Sequence, residues 1–169
     1  MFHLKAIQMI AKALPKAADG DPDAADQMAM AQYIAGTGYS NVGLGLVHGM
    51  SHPLGAFFNA PHGLANGILL PAVLEYNAPY TGEKYRDIAA AFDVDGAYTL
   101  PIEEVRKKAV DAIREFAIKL GNPTTITSIG ATAADIEPLA EAAFKDVCTD
   151  GNPRKTSPEE IAEIYHSLL

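Results

Sequence analysis

Apolar side chains recur every three to four residues along most of the chain, which is the spacing of one face of an α-helix. The clearest stripe lies between residues 105 and 120, opposite a charged face, and Gly121 and Pro123 predict its end. Its members are Val105, Ala109, Ala112, Ile113, Phe116 and Leu120. A second apolar set at residues 4–14 predicts an N-terminal helix that stops around Pro15, because proline lacks the N–H that a helix interior uses.

Polar residues mark where other helices begin. Asp21-Pro22 predicts an N-cap followed by proline at the first helical position, and we expect this helix to be broken at Gly36 and Gly38. Two capping boxes, Thr132 with Asp135 and Ser157 with Glu160, predict further helix starts. Only residues 124–129 favour a strand, and a single short strand forms no sheet. The pattern predicts one all-α domain, residues 1–169, of about seven or eight helices.

Composition and charge narrow the class of protein. The net charge of −8 argues against nucleic acid or an anionic membrane surface as the main partner. The longest apolar stretch, Gly63–Leu74, contains Pro71 and is too short for the ~20 residues that a bilayer requires. The single cysteine, Cys148, excludes an internal disulfide and fits a reducing compartment, so we expect a cytoplasmic location.

Candidate chemistry is concentrated in residues 43–63. Three of the five histidines, His48, His52 and His62, lie within this apolar segment, which is rich in glycine and proline. A lone histidine in such a stretch is usually a packed or solvated residue, but a cluster of three favours a metal site. Glycine costs roughly 0.5–1 kcal/mol in a helix, so its repetition here indicates close approach of a backbone or a ligand.

The spacing of the histidines leaves several arrangements open. His48 and His52 have the i, i+4 spacing of zinc proteases, but residue 49 is glycine where such enzymes need a glutamate base. Pro53 predicts that His52 lies at a helix end and points away from His48, which is then expected near the end of the same helix. His62 follows Pro61 and is predicted in the first turn of the next helix, which Pro71 should kink or end. Because no carboxylate lies at ligand spacing, the remaining ligands must come from elsewhere.

The same segment resembles a known family. Residues 47–56, VHGMSHPLGA, and 59–63, NAPHG, are similar to the signature of the iron-dependent (group III) alcohol dehydrogenases. Further similarity at Asn77-Ala78-Pro79 and at residues 146–154 extends the resemblance over essentially the whole chain. The resemblance implies that this chain is the helical C-terminal domain, which carries metal and substrate, and that an N-terminal domain binds the dinucleotide.

The resemblance also implies roles for individual residues. His48 and His62 match two metal ligands, for Fe²⁺ or alternatively Zn²⁺. His52 matches the catalytic histidine beside the nicotinamide, which moves the hydroxyl proton to solvent. Tyr39 and Cys148 match positions that line the substrate pocket in members acting on lactaldehyde. The implied reaction interconverts a small, lactaldehyde-like aldehyde and its alcohol or diol, with NAD as the hydride carrier.

The sequence departs from the family in its length and in two motifs. Family members are roughly twice as long, and neither their Gly-Gly-Gly-Ser stretch nor their second ligand pair, an Asp and a His four residues apart, occurs here. We therefore expect a truncated product, a fragment or one part of a split protein, inactive without the dinucleotide-binding domain. The exposed docking seam should be apolar and favour self-association into a homo-oligomer. Two alternatives stay open, namely a non-catalytic helical module with a vestigial half metal site, and a self-contained metallohydrolase using all three histidines.

Overall fold

The computed structural model describes every residue from Met1 to Leu169 and contains eight α-helices and no β-strand. This confirms the predicted all-α class. The helices are α1 (Phe2–Ala18), α2 (Pro22–Val42), α3 (Leu46–Phe58), α4 (His62–Asn77), α5 (Lys84–Ala91), α6 (Ile102–Lys119), α7 (Ile136–Phe144) and α8 (Pro158–His166). Short 3₁₀ turns lie at Ala78–Tyr80, Ile126–Ile129, Ala133–Asp135 and Thr149–Gly151. None of the helices combines the length and apolarity needed to cross a membrane.

The chain forms two compact units. The first comprises residues 1–43 and 82–113, and the second comprises residues 44–81 and 114–169. Both capping boxes form as predicted, at Thr132 with Asp135 and at Ser157 with Glu160. Helix α6 ends at Lys119, two residues before Gly121, whose φ of +78° suits a residue without a side chain.

The first unit is built on the pair of helices α1 and α2. The Asp21 side chain caps α2 by accepting a hydrogen bond from the Ala24 N–H at 3.1 Å, as the sequence predicts. The predicted helix ends are wrong, because α1 continues past Pro15 to Ala18 and α2 continues past its two glycines to Val42. A methyl group on Gly38 would lie 2.7 Å from the His3 ring, so the glycine permits close packing of the two helices. That packing outweighs the roughly 1 kcal/mol that a helical glycine costs.

The second unit is organised around one hydrophobic core. Helices α3, α4, α7 and α8 supply its fully buried side chains, among them Leu46, Met50, Leu54, Leu69, Ile136, Leu139, Ile161 and Tyr165. The Tyr165 hydroxyl donates a 2.5 Å hydrogen bond to the Met50 carbonyl and so ties α8 to α3. The core fixes α3 against α7, and this contact positions the candidate site described below.

Helix α3 is longer than the sequence predicts. His52 does not end the helix, because α3 passes through Pro53 and continues to Phe58. Pro53 is buried and precedes the fully buried Leu54, and this packing offsets the ~3 kcal/mol that an interior proline costs. His48 therefore lies in the first turn of α3 rather than near its end, and His52 lies one turn further along the same helix. Helix α4 similarly continues through Pro71 to Asn77.

Candidate metal centre

His48 and His52 project from one face of α3. The helix begins after Gly45, whose extended backbone places its carbonyl to accept the His48 N–H at 3.0 Å. Because residues four apart in a helix are neighbours on its surface, the two imidazole rings are close, with centroids 6.2 Å apart. The two rings therefore lie on the same side of α3, contrary to the prediction that they point differently.

His62 completes a cluster of three imidazoles. Asn59 ends α3 in the left-handed conformation, with φ of 52°, and the chain then turns so that α4 begins at His62, in the predicted first turn. The His62 ring centroid lies 5.3 Å from that of His48 and 5.4 Å from that of His52, with which it is nearly parallel. The turn between two helices thus assembles three nitrogen donors.

Two polar neighbours hold the His62 ring. The Asn66 amide nitrogen lies 3.1 Å from Nε2 of His62, one helical turn along α4, so we assign Nε2 as the acceptor. Nδ1 then carries the proton and faces the Ser51 hydroxyl at 3.4 Å, and this hydroxyl in turn donates to the His48 carbonyl at 3.1 Å. In this tautomer the lone pair lies on Nε2, where it accepts the Asn66 N–H.

The loop after α7 brings a carboxylate and a thiol to the cluster. Oδ2 of Asp146 lies 2.8 Å from Nδ1 of His52, although 94 positions separate the two residues in the chain. Oδ1 of the same carboxylate accepts the Cys148 N–H at 2.8 Å, which holds the loop in a tight turn. Single donor atoms of His52, Asp146 and Cys148 all lie within 4.8 Å of one another.

Gly49 sets how closely this loop approaches α3. A methyl group on Gly49 would overlap the Thr149 hydroxyl, which is buried and donates to the Ala143 carbonyl at 2.6 Å. This contact is the close approach that the sequence predicts from the glycines of this segment. Since Thr149 directly follows Cys148, the contact fixes the position of the thiol relative to His52.

The electrostatics of the cluster favour a neutral imidazole beside a charged carboxylate. Burial, followed by repulsion from His62 and His52, lowers the pKa of His48, and the opposing effect of Asp146 is smaller. Burial by itself would raise the pKa of Asp146, but hydrogen bonds from the Cys148 backbone and from His52 outweigh it and lower that pKa. Burial and the adjacent Asp146 charge raise the pKa of the Cys148 thiol.

The predicted site residues are divided between the two units of the chain. His48, His52, His62 and Cys148 belong to the second unit and surround the site, whereas Tyr39 belongs to the first unit, near the end of α2, with 44% of its surface exposed. The sequence-based reasoning missed Asp146 as a site residue. Its signal was an Asp two residues before Cys148 at the end of a helix, a spacing typical of turns in which the carboxylate accepts a backbone N–H.

The donor set fits a divalent metal ion. Two imidazoles that bind one ion through bonds of about 2.0–2.1 Å have ring centres about 5 Å apart. The 5.3 Å between the rings of His48 and His62 matches this separation. Two imidazoles satisfy only half of a four-coordinate ion, so a complete site needs further ligands.

Comparisons with known proteins agree over the full chain. The model of the C-terminal region of the Fe-containing alcohol dehydrogenase family matches residues 1–169. The chain is 53% identical over 166 residues to lactaldehyde reductase from Escherichia coli K12, covering 98% of this chain and 43% of that protein. It is 38% identical to 1,3-propanediol dehydrogenase from Citrobacter freundii, with the same two coverages. The crystal structure of a 1,3-propanediol oxidoreductase superposes with a TM-score of 0.95 at 35% identity, covering 98% of this chain and 44% of that one. The chain thus spans less than half the length of these relatives.

Proposed function

Because the chain belongs to the Fe-containing alcohol dehydrogenase family and matches its C-terminal region, we propose that it is the metal- and substrate-binding part of an NAD-linked alcohol dehydrogenase. The proposed reaction interconverts a small aldehyde, of the lactaldehyde kind, and its alcohol or diol. The observation that carries the proposal is the contact of three imidazoles at residues that match the family signature. The 53% identity to lactaldehyde reductase supports the choice of substrate class.

His48 and His62 are the residues that we propose to hold the metal, Fe²⁺ or alternatively Zn²⁺. A metal ion held by these two rings would supply a Lewis acid for the substrate oxygen. Ser51 faces Nδ1 of His62 and favours the tautomer with its proton there, so that the lone pair lies on Nε2. The Asn66 amide, which donates to that lone pair, would have to turn away for Nε2 to hold a metal ion. The lowered pKa of His48 keeps that ring neutral as well.

His52 is the residue that we propose to move the proton of the substrate hydroxyl. Asp146 accepts a hydrogen bond from Nδ1, which orients the ring and leaves Nε2 as the acceptor for a proton. The charged carboxylate also stabilises the imidazolium that forms when Nε2 accepts this proton. The His52 side chain is 43% exposed, which gives the proton a route to solvent.

Cys148 and Tyr39 complete the proposed assignment as substrate-lining residues. The Cys148 thiol stays protonated because its pKa is raised, so it offers the substrate a small apolar contact rather than a charge. NAD would be bound mainly by an N-terminal domain, which covers the nicotinamide side of the site. Large apolar side chains are exposed near the ends of α3 and α7, at Phe57, Phe144 and Val147, and these support docking of a further domain.

Reconstitution with an N-terminal domain tests the proposal. The chain alone, supplied with Fe²⁺ or Zn²⁺, should not oxidise propanediol with NAD. Co-expression with the N-terminal domain of Escherichia coli lactaldehyde reductase should restore this activity. In the complex, His48→Ala should abolish metal retention, whereas His52→Ala should leave the metal bound and lower kcat about 10²–10⁴-fold.

The matched control is His166→Ala, since His166 is an exposed histidine at the end of α8 and outside the cluster. It should leave both metal content, measured by elemental analysis, and turnover unchanged. Turnover by the isolated chain near that of the complex would contradict the need for a second domain. A reconstituted complex that binds metal without any dehydrogenase activity would favour the non-catalytic alternative.

A further inference from the structure

Three different metal-ligating groups lie close together at the edge of the imidazole cluster, and the proposed function does not use them as one ligand set. A thiol, a carboxylate and an imidazole are supplied by Cys148, Asp146 and His52, and single donor atoms of the three lie within 4.8 Å of one another. Ligands around a tetrahedral ion with bonds of about 2.0–2.3 Å are themselves about 3.3–3.8 Å apart. The three groups therefore need only small side-chain rotations to share one ion.

The backbone already holds two of these groups in place. Asp146 and Cys148 lie on one tight turn, which is closed by the hydrogen bond from the Cys148 N–H to the Asp146 carboxylate and by another from the Thr149 N–H to the Asp146 carbonyl. Thr149, packed against Gly49, fixes this turn against α3, which carries His52. Because the ligands are ordered before an ion arrives, binding loses little conformational entropy.

We propose that His52, Asp146 and Cys148 form a second cation site, selective for a thiophilic divalent ion such as Zn²⁺. On binding, the Cys148 thiol releases its proton to solvent, and the His52 proton moves from Nδ1 to Nε2, which frees the Nδ1 lone pair for the ion. The resulting thiolate and the Asp146 carboxylate together balance the two positive charges of the ion. Three protein ligands leave one tetrahedral position to water. Hard cations such as Mg²⁺ are excluded by ligand chemistry, because they prefer oxygen donors to sulfur.

This site is distinct from the one that we propose for His48 and His62. The first pair offers only imidazole nitrogens, whereas the second set includes a thiolate, so the two sites differ in the metals that they prefer. The His52 side chain is 43% exposed and that of Asp146 is 17% exposed, which gives an ion access from solvent. An ion at the second site binds the His52 ring, which we propose to move the substrate proton. Zn²⁺ should therefore inhibit the assembled enzyme, and this consequence rests on the proposed function.

Protection of the thiol in the 169-residue chain tests the site directly. Cys148 is the only cysteine, so its alkylation by iodoacetamide can be followed by mass spectrometry without ambiguity. Saturating Zn²⁺ should slow alkylation at least tenfold, and Mg²⁺ should not slow it. Titration with Co²⁺ should give a thiolate-to-cobalt charge-transfer absorption that saturates at one equivalent per chain, independently of protein concentration. These measurements use the unmodified sequence and do not depend on the folding of any variant.

Variants then identify the other ligands. His52→Gln and Asp146→Asn should each remove the Zn²⁺ protection, and the Asn side chain can still accept the Cys148 N–H, which preserves the turn. Asp150→Asn, in an exposed residue two positions after Cys148, is the matched control and should keep the protection. His48→Ala should also keep the Zn²⁺ protection, because His48 is proposed to bind metal only at the first site. This variant therefore distinguishes failure of the second site from failure of the proposed function.

Three results would overturn the second site. The first is the absence of Zn²⁺ protection in the unmodified chain. The second is protection that survives both His52→Gln and Asp146→Asn, which would show that the thiol binds zinc alone. The third is protection that is lost in His48→Ala, which would place Cys148 at the first metal site. Circular dichroism establishes that each variant keeps its helices.

Discussion

Replacing Gly49 with alanine gives the sharpest test of how the loop that carries Cys148 is positioned. An added methyl group would overlap the Thr149 hydroxyl, and it would lie 3.3 Å from the Thr149 Cβ and 3.4 Å from the Ala143 carbonyl oxygen. All of these atoms are buried, so no contact can be relieved by movement into solvent. Thr149 must therefore give up its hydrogen bond to the Ala143 carbonyl, or the loop must move away from α3.

Gly49→Ala changes the free energy of unfolding through three contributions of different size and sign. Alanine is favoured over glycine within a helix by about 1 kcal/mol. Overpacking a well-packed interior costs about 1–3 kcal/mol. Losing the hydrogen bond from the Thr149 hydroxyl costs about another 0.5–1.5 kcal/mol, since the Ala143 carbonyl still accepts the Asp146 N–H. We therefore expect Gly49→Ala to lower the free energy of unfolding by about 2 kcal/mol, which shifts the urea midpoint down by about 1 M.

The measurement is urea unfolding of the chain, followed by far-ultraviolet circular dichroism. Gly55→Ala is the matched control in the same helix, because the nearest atom to its added methyl group, the Ala60 carbonyl oxygen, is at an ordinary 3.7 Å. This control should stabilise the chain by about 0.5–1 kcal/mol through helix propensity alone. In a Thr149→Ala background, Gly49→Ala should cost clearly less than in the native sequence, because the clashing hydroxyl is gone. The reasoning is refuted if Gly49→Ala is as stable as the native chain, or if Thr149→Ala leaves its cost unchanged.

Two further predictions concern buried tyrosines. Tyr165→Phe removes the hydrogen bond to the Met50 carbonyl and should cost about 0.5–1.5 kcal/mol in urea unfolding, whereas Tyr33→Phe, at an exposed position, should change stability by less than about 0.5 kcal/mol. Burial raises the pKa of Tyr85 to about 12, so the unfolded chain loses this proton first, and stability should fall as pH rises from about 10 to about 12. In Tyr85→Phe, urea midpoints across this range should fall less steeply; an identical slope would contradict the assignment.

Sequence patterns predicted those features of the fold that depend on near neighbours in the chain. The all-α class followed from apolar periodicity, and the caps at Asp21, Thr132 and Ser157 form as their side chains suggest. Each of these features joins groups within about four residues, so the chemistry of a short segment decides it. The presence of a histidine cluster was also evident, because His48, His52 and His62 lie on two successive helices joined by a short turn.

Tertiary packing decided the features that local preference predicted wrongly or did not address. Proline and glycine weaken an isolated helix, yet α3 continues through Pro53 and α2 through Gly38, because burial and close helix contact outweigh their local cost. Asp146 could not be assigned to His52 from sequence, because their contact spans 94 positions and exists only where α7 packs against α3. Sequence alone thus determined the helical class and the three histidine donors. Only the tertiary structure decided which donors meet, because the hydrophobic core, rather than the donors themselves, sets where distant segments lie.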